Sequence, residues 1–280
     1  MLRLLFLGDS YTCCSNEPYD VNRWPLRLAM KILGKKVYQV YLQYSQREDG
    51  HDGFQCTSDF ALLDPKTRDI CAEIKIIAKS GKRSDELLVE IKKQQLQLKA
   101  YDGVFILIGV NDQFQKGKAG IPEYQKYLTS ILEEAILATQ NNDSSKITLL
   151  AIPDWSQTKS GQDLGTHTYR TQEYELPCQS TIKTVYSEIS AYNQAAKFVI
   201  DEFNQTHKTH INFIASIESI SRQFGLFPKM TLEDGLHYRW DMTEKWNAEI
   251  FSQVPFLQKY KLPVLDNEEK LSPGLKIFPV

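Results

Sequence analysis

The feature that most restricts this chain is an alternation of two hydrophobic periods. Short apolar runs recur, and most are followed by a segment with helical spacing. Leu2 to Leu7 is the first run, and "NRWPLRLAMKIL" follows it with Trp24, Leu28 and Ile32 on one helical face. "KVYQVYLQY" reads as a strand. "EIKIIAKSG" is another, followed by "SDELLVEIKKQQLQL", where Ser84 is a good N-cap and Leu87, Leu88, Ile91 and Leu98 form a stripe. "GVFILIGVND" is the most strand-like run, apolar from Val104 to Ile108, and Pro122 opens the helix predicted over "PEYQKYLTSILEEAILAT". "KITLLAIPDW" and "INFIAS" are further strands, with helices over "TVYSEISAYNQAAKFVIDEFNQ" and "DMTEKWNAEIFSQV". Strands separated by helices predict a mostly parallel sheet covered on both faces. Right-handed crossovers then bring the strand-to-helix loops to one edge of that sheet.

Two stretches interrupt the rhythm. Residues 45–69 are polar and aperiodic, and residues 154–179 carry Gly161, Gly165 and Pro177. Both are expected to be long loop insertions, which in a compact domain are usually functional or disordered. The tail 262–280 contains prolines and is expected to lie extended on the surface. With 280 residues, the whole of 1–280 is expected to form a single α/β domain.

The bulk chemistry excludes some partners. Net charge is −2, from 33 basic and 35 acidic residues, so nucleic acid is not an expected partner. No run approaches the length of a membrane span, and the apolar stretch after Arg3 is too short for a secretory signal. The five cysteines (Cys13, Cys14, Cys56, Cys71 and Cys178) lack metal-site spacing and read as free thiols. A cytoplasmic protein without a bound metal is the expectation.

The candidate chemistry lies at the strand ends. Ser10 directly follows the first strand in "LGDS", where α/β folds expose reactive groups. Such a tripeptide arises by chance in roughly one chain in ten of this length, and Asp9 or Ser10 could equally cap a helix. Asp234 and His237 stand three apart in "EDGLHY", close enough for a carboxylate to orient an imidazole. Gly81 closes "IIAKSG", and Asn111 follows Gly109 in "LIGVND". An unobstructed backbone N–H at Gly81 and a carboxamide at Asn111 suit an oxyanion hole. His207 and His210 read as surface residues, while His51 and His167 fall in the two expected loops. Trp24, Trp155, Tyr169 and Tyr174 are aromatic candidates for stacking on a sugar or lining an acyl pocket.

Singly, each of these has an ordinary structural explanation. Together, and in this order, they form a pattern. The chain resembles the SGNH (GDSL) hydrolase family, in a bacterial lipase/esterase-like branch. "GDSYT" is similar to its first block, with Tyr11 where the family name has leucine. "KSGKRSDEL" resembles the glycine block, "IGVND" the asparagine block and "DGLHY" the last, while "IPDW" resembles a stretch after the fourth strand. The departure is greatest over 37–69.

The resemblance implies a three-layer α/β/α sandwich with about five parallel strands in flavodoxin-like order, and no metal or cofactor. It implies Ser10 as nucleophile, His237 as general base and then acid, and Asp234 as its orienting partner. The oxyanion hole would comprise the Ser10 and Gly81 N–H groups and the Asn111 side chain, with Asp9 fixing the turn. The expected activity is hydrolysis of lipid or small acyl esters. Alternatives are removal of O-acetyl groups from carbohydrate, or a catalytically silent binding protein. Acyl length, alcohol moiety and oligomeric state are left open.

Overall fold

The computed structural model describes residues 1–13, 22–34, 39–46, 55–64, 66–96, 100–163 and 182–260. Its centre is β1 (Leu2–Gly8), all of which is buried except Arg3. Such a strand must be covered on both faces and paired on both sides. Its neighbours are β4 (Ile70–Lys79) and β5 (Gly103–Leu107), both parallel, with Leu4 opposite Ile74 on one side and Gly103 on the other.

The sheet has seven strands in the order β2-β3-β4-β1-β5-β6-β7, with β6 at Ile147–Leu150 and β7 at Asn212–Ile214. Leaving out β2 and β3, the five parallel strands run second, first, third, fourth, fifth, which is the expected flavodoxin-like order. The order of strands reverses between β1 and β5, the position at which open α/β sheets form a crevice beyond the carboxyl ends of their strands.

Crossover handedness then sorts the helices into two layers. On one face α3 (Ser84–Lys93), α5 (Ile121–Ala138) and α7 (Ile182–His207) pack side by side. On the other, α2 (Trp24–Leu33) packs on α9 (Trp240–Gln253), and α8 (Ser216–Phe224) lies beside α9. The core runs through the sheet. Phe6 stacks on Phe105 at 5.1 Å and meets Trp24 edge-on at the same distance.

Three expectations change. Residues 45–69 are not all loop, because β3 (Gln55–Leu63) lies within them. It pairs antiparallel with β4 along its whole length and with β2 (Gln39–Gln46) on the outside. Phe60 and Leu62 are buried, while Asp59 sits directly opposite Lys75 and pairs with it at 3.4 Å. Polar residues on half of an edge-region strand hid its period. The region 154–179 opens with a 3-10 turn at Trp155–Gln157 and α6 at Lys159–Asp163, so its start is ordered rather than loop. The rest of that stretch, and the tail 262–280, lie outside the described residues. The helix predicted through Leu98 ends at Lys93, and Leu98 itself lies outside the described residues. Among the described residues, no helix is long and apolar enough to cross a membrane.

Candidate active site

At the end of β1 the chain turns sharply into a four-residue helix, α1 (Ser10–Cys13). Gly8 permits this. A Cβ there would lie 2.3 Å from both the Leu107 carbonyl oxygen and Thr12 Oγ1, so only glycine lets β1 approach β5 here. Asp9 closes the turn from inside: its main-chain carbonyl accepts the N–H groups of Thr12 (3.1 Å) and Cys13 (2.8 Å). Its Oδ1 accepts the Tyr11 N–H at 3.0 Å. Ser10 is left at the start of α1, 8% exposed, at the mouth of the β1–β5 crevice.

Burial pushes the Asp9 carboxyl up to about 8, against the pull of the Tyr11 N–H; a nearby Asp112 adds to the rise. Asp9 Oδ2 has no hydrogen-bond partner among the described residues.

The Asp234–His237 pair is formed. Asp234 Oδ2 lies 2.7 Å from His237 Nδ1, and Oδ1 accepts the N–H groups of Leu236 (2.9 Å) and His237 (3.0 Å). Partial burial works to raise the Asp234 pKa, but these hydrogen bonds outweigh it and hold the carboxyl well below the usual range. The carboxylate is thus held ionised against Nδ1, and Nε2 is the ring nitrogen that this pair does not engage. No hydrogen bond joins His237 to Ser10 among the described residues. Catalytic contacts of this kind often tighten only with substrate bound.

The loop carrying this pair is held from several sides, partly by residues of the quoted motif blocks and partly by Ser160 and Arg222, which motif reading did not single out. Ser160 on α6 donates its N–H to the Gly235 carbonyl (3.0 Å) and its hydroxyl to the Asp234 carbonyl (3.0 Å). The Tyr238 hydroxyl donates to the Asp154 carbonyl at 2.7 Å. Asp154, the acidic residue of "IPDW", is itself buried and bridged to Arg222 Nε at 2.7 Å. Tyr11 lies against His237 with ring centroids 5.3 Å apart. Tyr11, Asp154 and Tyr238 lay in the quoted blocks "GDSYT", "IPDW" and "DGLHY"; Ser160 and Arg222, far along the chain from them, gave no sequence signal.

Gly81 and Asn111 are brought together. Gly81 has φ +76 in the turn after β4, and nothing stands within 4 Å of where a Cβ would project. Asn111, near the start of α4 (Val110–Lys116), donates from Nδ2 to the Lys82 carbonyl at 3.0 Å. One amide hydrogen therefore braces the Gly81 turn and the second is left over. Next to it, Asp112 accepts the Ser84 N–H (3.0 Å) and hydroxyl (2.6 Å). That contact replaces the expected N-cap role of Ser84, since its hydroxyl is spent on Asp112 and the Arg83 N–H is taken by Glu86 instead. The aromatic candidates fare differently. Trp24 and Trp155 are 0% and 2% exposed and cannot stack on a ligand as they stand, because both fill the core. Tyr169 and Tyr174, with His51 and His167, lie outside the described residues. His207 and His210 are on the surface, as expected.

No protein-family model matches the chain, and no curated protein does. Solved structures do. The chain is similar to an acetylxylan esterase from Geobacillus stearothermophilus, at 14% identity and TM-score 0.52, over 91% of this chain and 94% of that one. It is similar to a lipase/acylhydrolase from Enterococcus faecalis at 16% identity and TM-score 0.51, covering 91% and 95%. A member of the lipolytic G-D-S-L family from Veillonella parvula matches at 9% identity and TM-score 0.51, over 90% and 97%. The chain therefore has the α/β fold of the GDSL, or SGNH, lipolytic hydrolases.

Proposed function

We propose that this protein is a serine hydrolase of carboxylic esters that works through an acyl-enzyme on Ser10. The observation that carries the reading is the Asp234–His237 pair, formed at 2.7 Å and packed against the residue that follows Ser10. In this mechanism Ser10 Oγ attacks the ester carbonyl while His237 Nε2 takes its proton. Asp234 keeps the imidazole in the required tautomer and stabilises its charged form. The oxyanion is held by the Ser10 and Gly81 N–H groups and the free hydrogen of the Asn111 amide. His237 then protonates the departing alcohol, and water repeats the cycle to release the acid.

Among the described residues no cluster of His, Cys, Asp and Glu is placed to hold a metal ion. Burial of Trp24 and Trp155 removes them as ligand contacts for a sugar and for an acyl chain alike, so the carbohydrate alternative is separated by substrate rather than by these residues. Small acyl esters or lipids are the substrates proposed.

The test is covalent. A fluorophosphonate should label Ser10, and Ser10→Ala should lose both label and hydrolysis of p-nitrophenyl esters while keeping its melting temperature. Label mapped to any other residue, or a Ser10→Ala protein that still turns over, would sink the assignment. A panel from acetyl to palmitoyl esters, run beside acetylated sugars, separates the substrate classes. No turnover of any ester would leave the silent binding protein as the better account.

A further inference from the structure

Tyr11 occupies an unusual position. It follows Ser10 directly, yet its side chain crosses to the loop that holds Asp234 and His237. Its ring lies 5.3 Å from that of His237, tilted by 50°, and its hydroxyl donates to the Leu236 carbonyl at 3.3 Å. The ring is fixed by Tyr238 at 5.7 Å and Trp246 at 6.4 Å, and its main chain by Trp24 Nε1, which donates to the Tyr11 carbonyl at 3.0 Å. The Tyr11 N–H is held by Asp9. A leucine at this position would fill space but could neither donate to Leu236 nor present a flat face to an imidazole.

We propose that Tyr11 is a positioning residue for the reaction, setting the imidazole of His237 relative to Ser10 through its ring and its bond to the Leu236 carbonyl. This rests on the esterase reading of the site. Ser10 and Tyr11 are consecutive, so the hydroxyl and the ring that steadies its base move as one unit. Asp234 fixes His237 from the Nδ1 side and along its own loop. Tyr11 supplies what Asp234 cannot, a contact from the nucleophile's own turn. Burial pushes the phenol well above its usual value, so it remains a donor across the working pH range.

The effect belongs on kcat, because misplacing a base by a fraction of an ångström spoils the proton transfer without changing ground-state binding. Tyr11→Leu should lower kcat for p-nitrophenyl acetate by about 10- to 100-fold with KM within about twofold. Tyr11→Phe restores the ring and should recover much of this, leaving a loss of about three- to tenfold for the missing hydroxyl. The low-field proton resonance of His237 Nδ1–H, assigned by its absence from His237→Gln, should shift or broaden in Tyr11→Leu and move less in Tyr11→Phe. A Tyr11→Leu protein with wild-type kcat and an unmoved resonance would overturn the proposal, as would a lower melting temperature with kinetics intact. Should Tyr11→Leu fail to fold, Tyr11→Phe decides alone, and an unchanged kcat and resonance in it count against the role. Failure of the esterase reading looks different: Ser10→Ala would stay active, and the His237 resonance, which needs no turnover, would still report on Tyr11.

Discussion

In the proposed mechanism Asn111 carries two tasks at once. One amide hydrogen is bonded to the Lys82 carbonyl, and the other is available to an oxyanion. A donor that meets full charge only in the transition state shows itself in kcat rather than KM. Asn111→Ala should therefore lower kcat by about 10²–10³ with KM nearly unchanged, read from steady-state kinetics on a short ester. Retention of more than about a third of kcat would mean that the side chain only braces the Gly81 turn. Asp9 makes a different prediction. With its native value near 8, the folded protein keeps a proton that the unfolded chain loses near the ordinary carboxylate value of about 4. Between those values the native state binds more protons, so this group's contribution to stability falls as pH rises. Asp9→Asn keeps the acceptor for the Tyr11 N–H and removes the titration. Melting temperature from pH 5 to 8 should decline less in the variant than in the wild type; parallel profiles would show that Asp9 is charged in the native protein.

Among the elements, β3 depends most on its context. Its sequence, "QCTSDFALL", alternates too weakly to announce a strand. Pairing with β4 supplies what the local pattern lacks: a full antiparallel ladder, the cross-strand Asp59–Lys75 pair and burial of Phe60 to 1%. Phe60 also lies under the Arg23 guanidinium at 5.9 Å, which links the hairpin to the segment entering α2. Phe60→Ala should cost about 3–5 kcal/mol in urea denaturation, the range for emptying a buried aromatic site. A loss below 1 kcal/mol would mean that β3 is not packed as a core strand. By contrast β1, β5, α5 and α9 were legible within a residue or two, because each buries a continuous run or stripe. The local α4 and α8 were not, since a seven- or nine-residue helix leaves too little period to read.

For the molecule as a whole, the arrangement turns on the junction of β1 and β5, where strand order reverses and the turns carrying Ser10 and Asn111 follow neighbouring parallel strands. Gly8 is the contact that sets this spacing. A methyl group there would press on backbone, which cannot swing aside as the end of a side chain would. Gly8→Ala should cost about 1–3 kcal/mol, the range for overpacking, and should also reduce kcat by spreading the nucleophile turn from the oxyanion donors. Stability loss in denaturant with kcat unchanged would show that the crevice tolerates the shift.

What the sequence by itself determined is local and periodic: the alternation of strand and helix, hence the parallel sheet, and the residue types left at the ends of its strands. Asp234 and His237 also belong here, because three residues in a turn bring them together whatever the rest of the chain does. The Ser10, Gly81, Asn111 and His237 positions were read as a set through their order along the chain and the family it resembles. The distances among them were not legible, because each is set by contacts between segments far apart in sequence. Asn111 reaches Lys82, Ser160 reaches Asp234, Tyr238 reaches Asp154 and Tyr11 reaches Leu236. Such contacts have no period and no neighbouring signal. They exist only once the sheet has put the carboxyl ends of its strands side by side, so tertiary structure alone decided which serine, tyrosine and aspartate support the site.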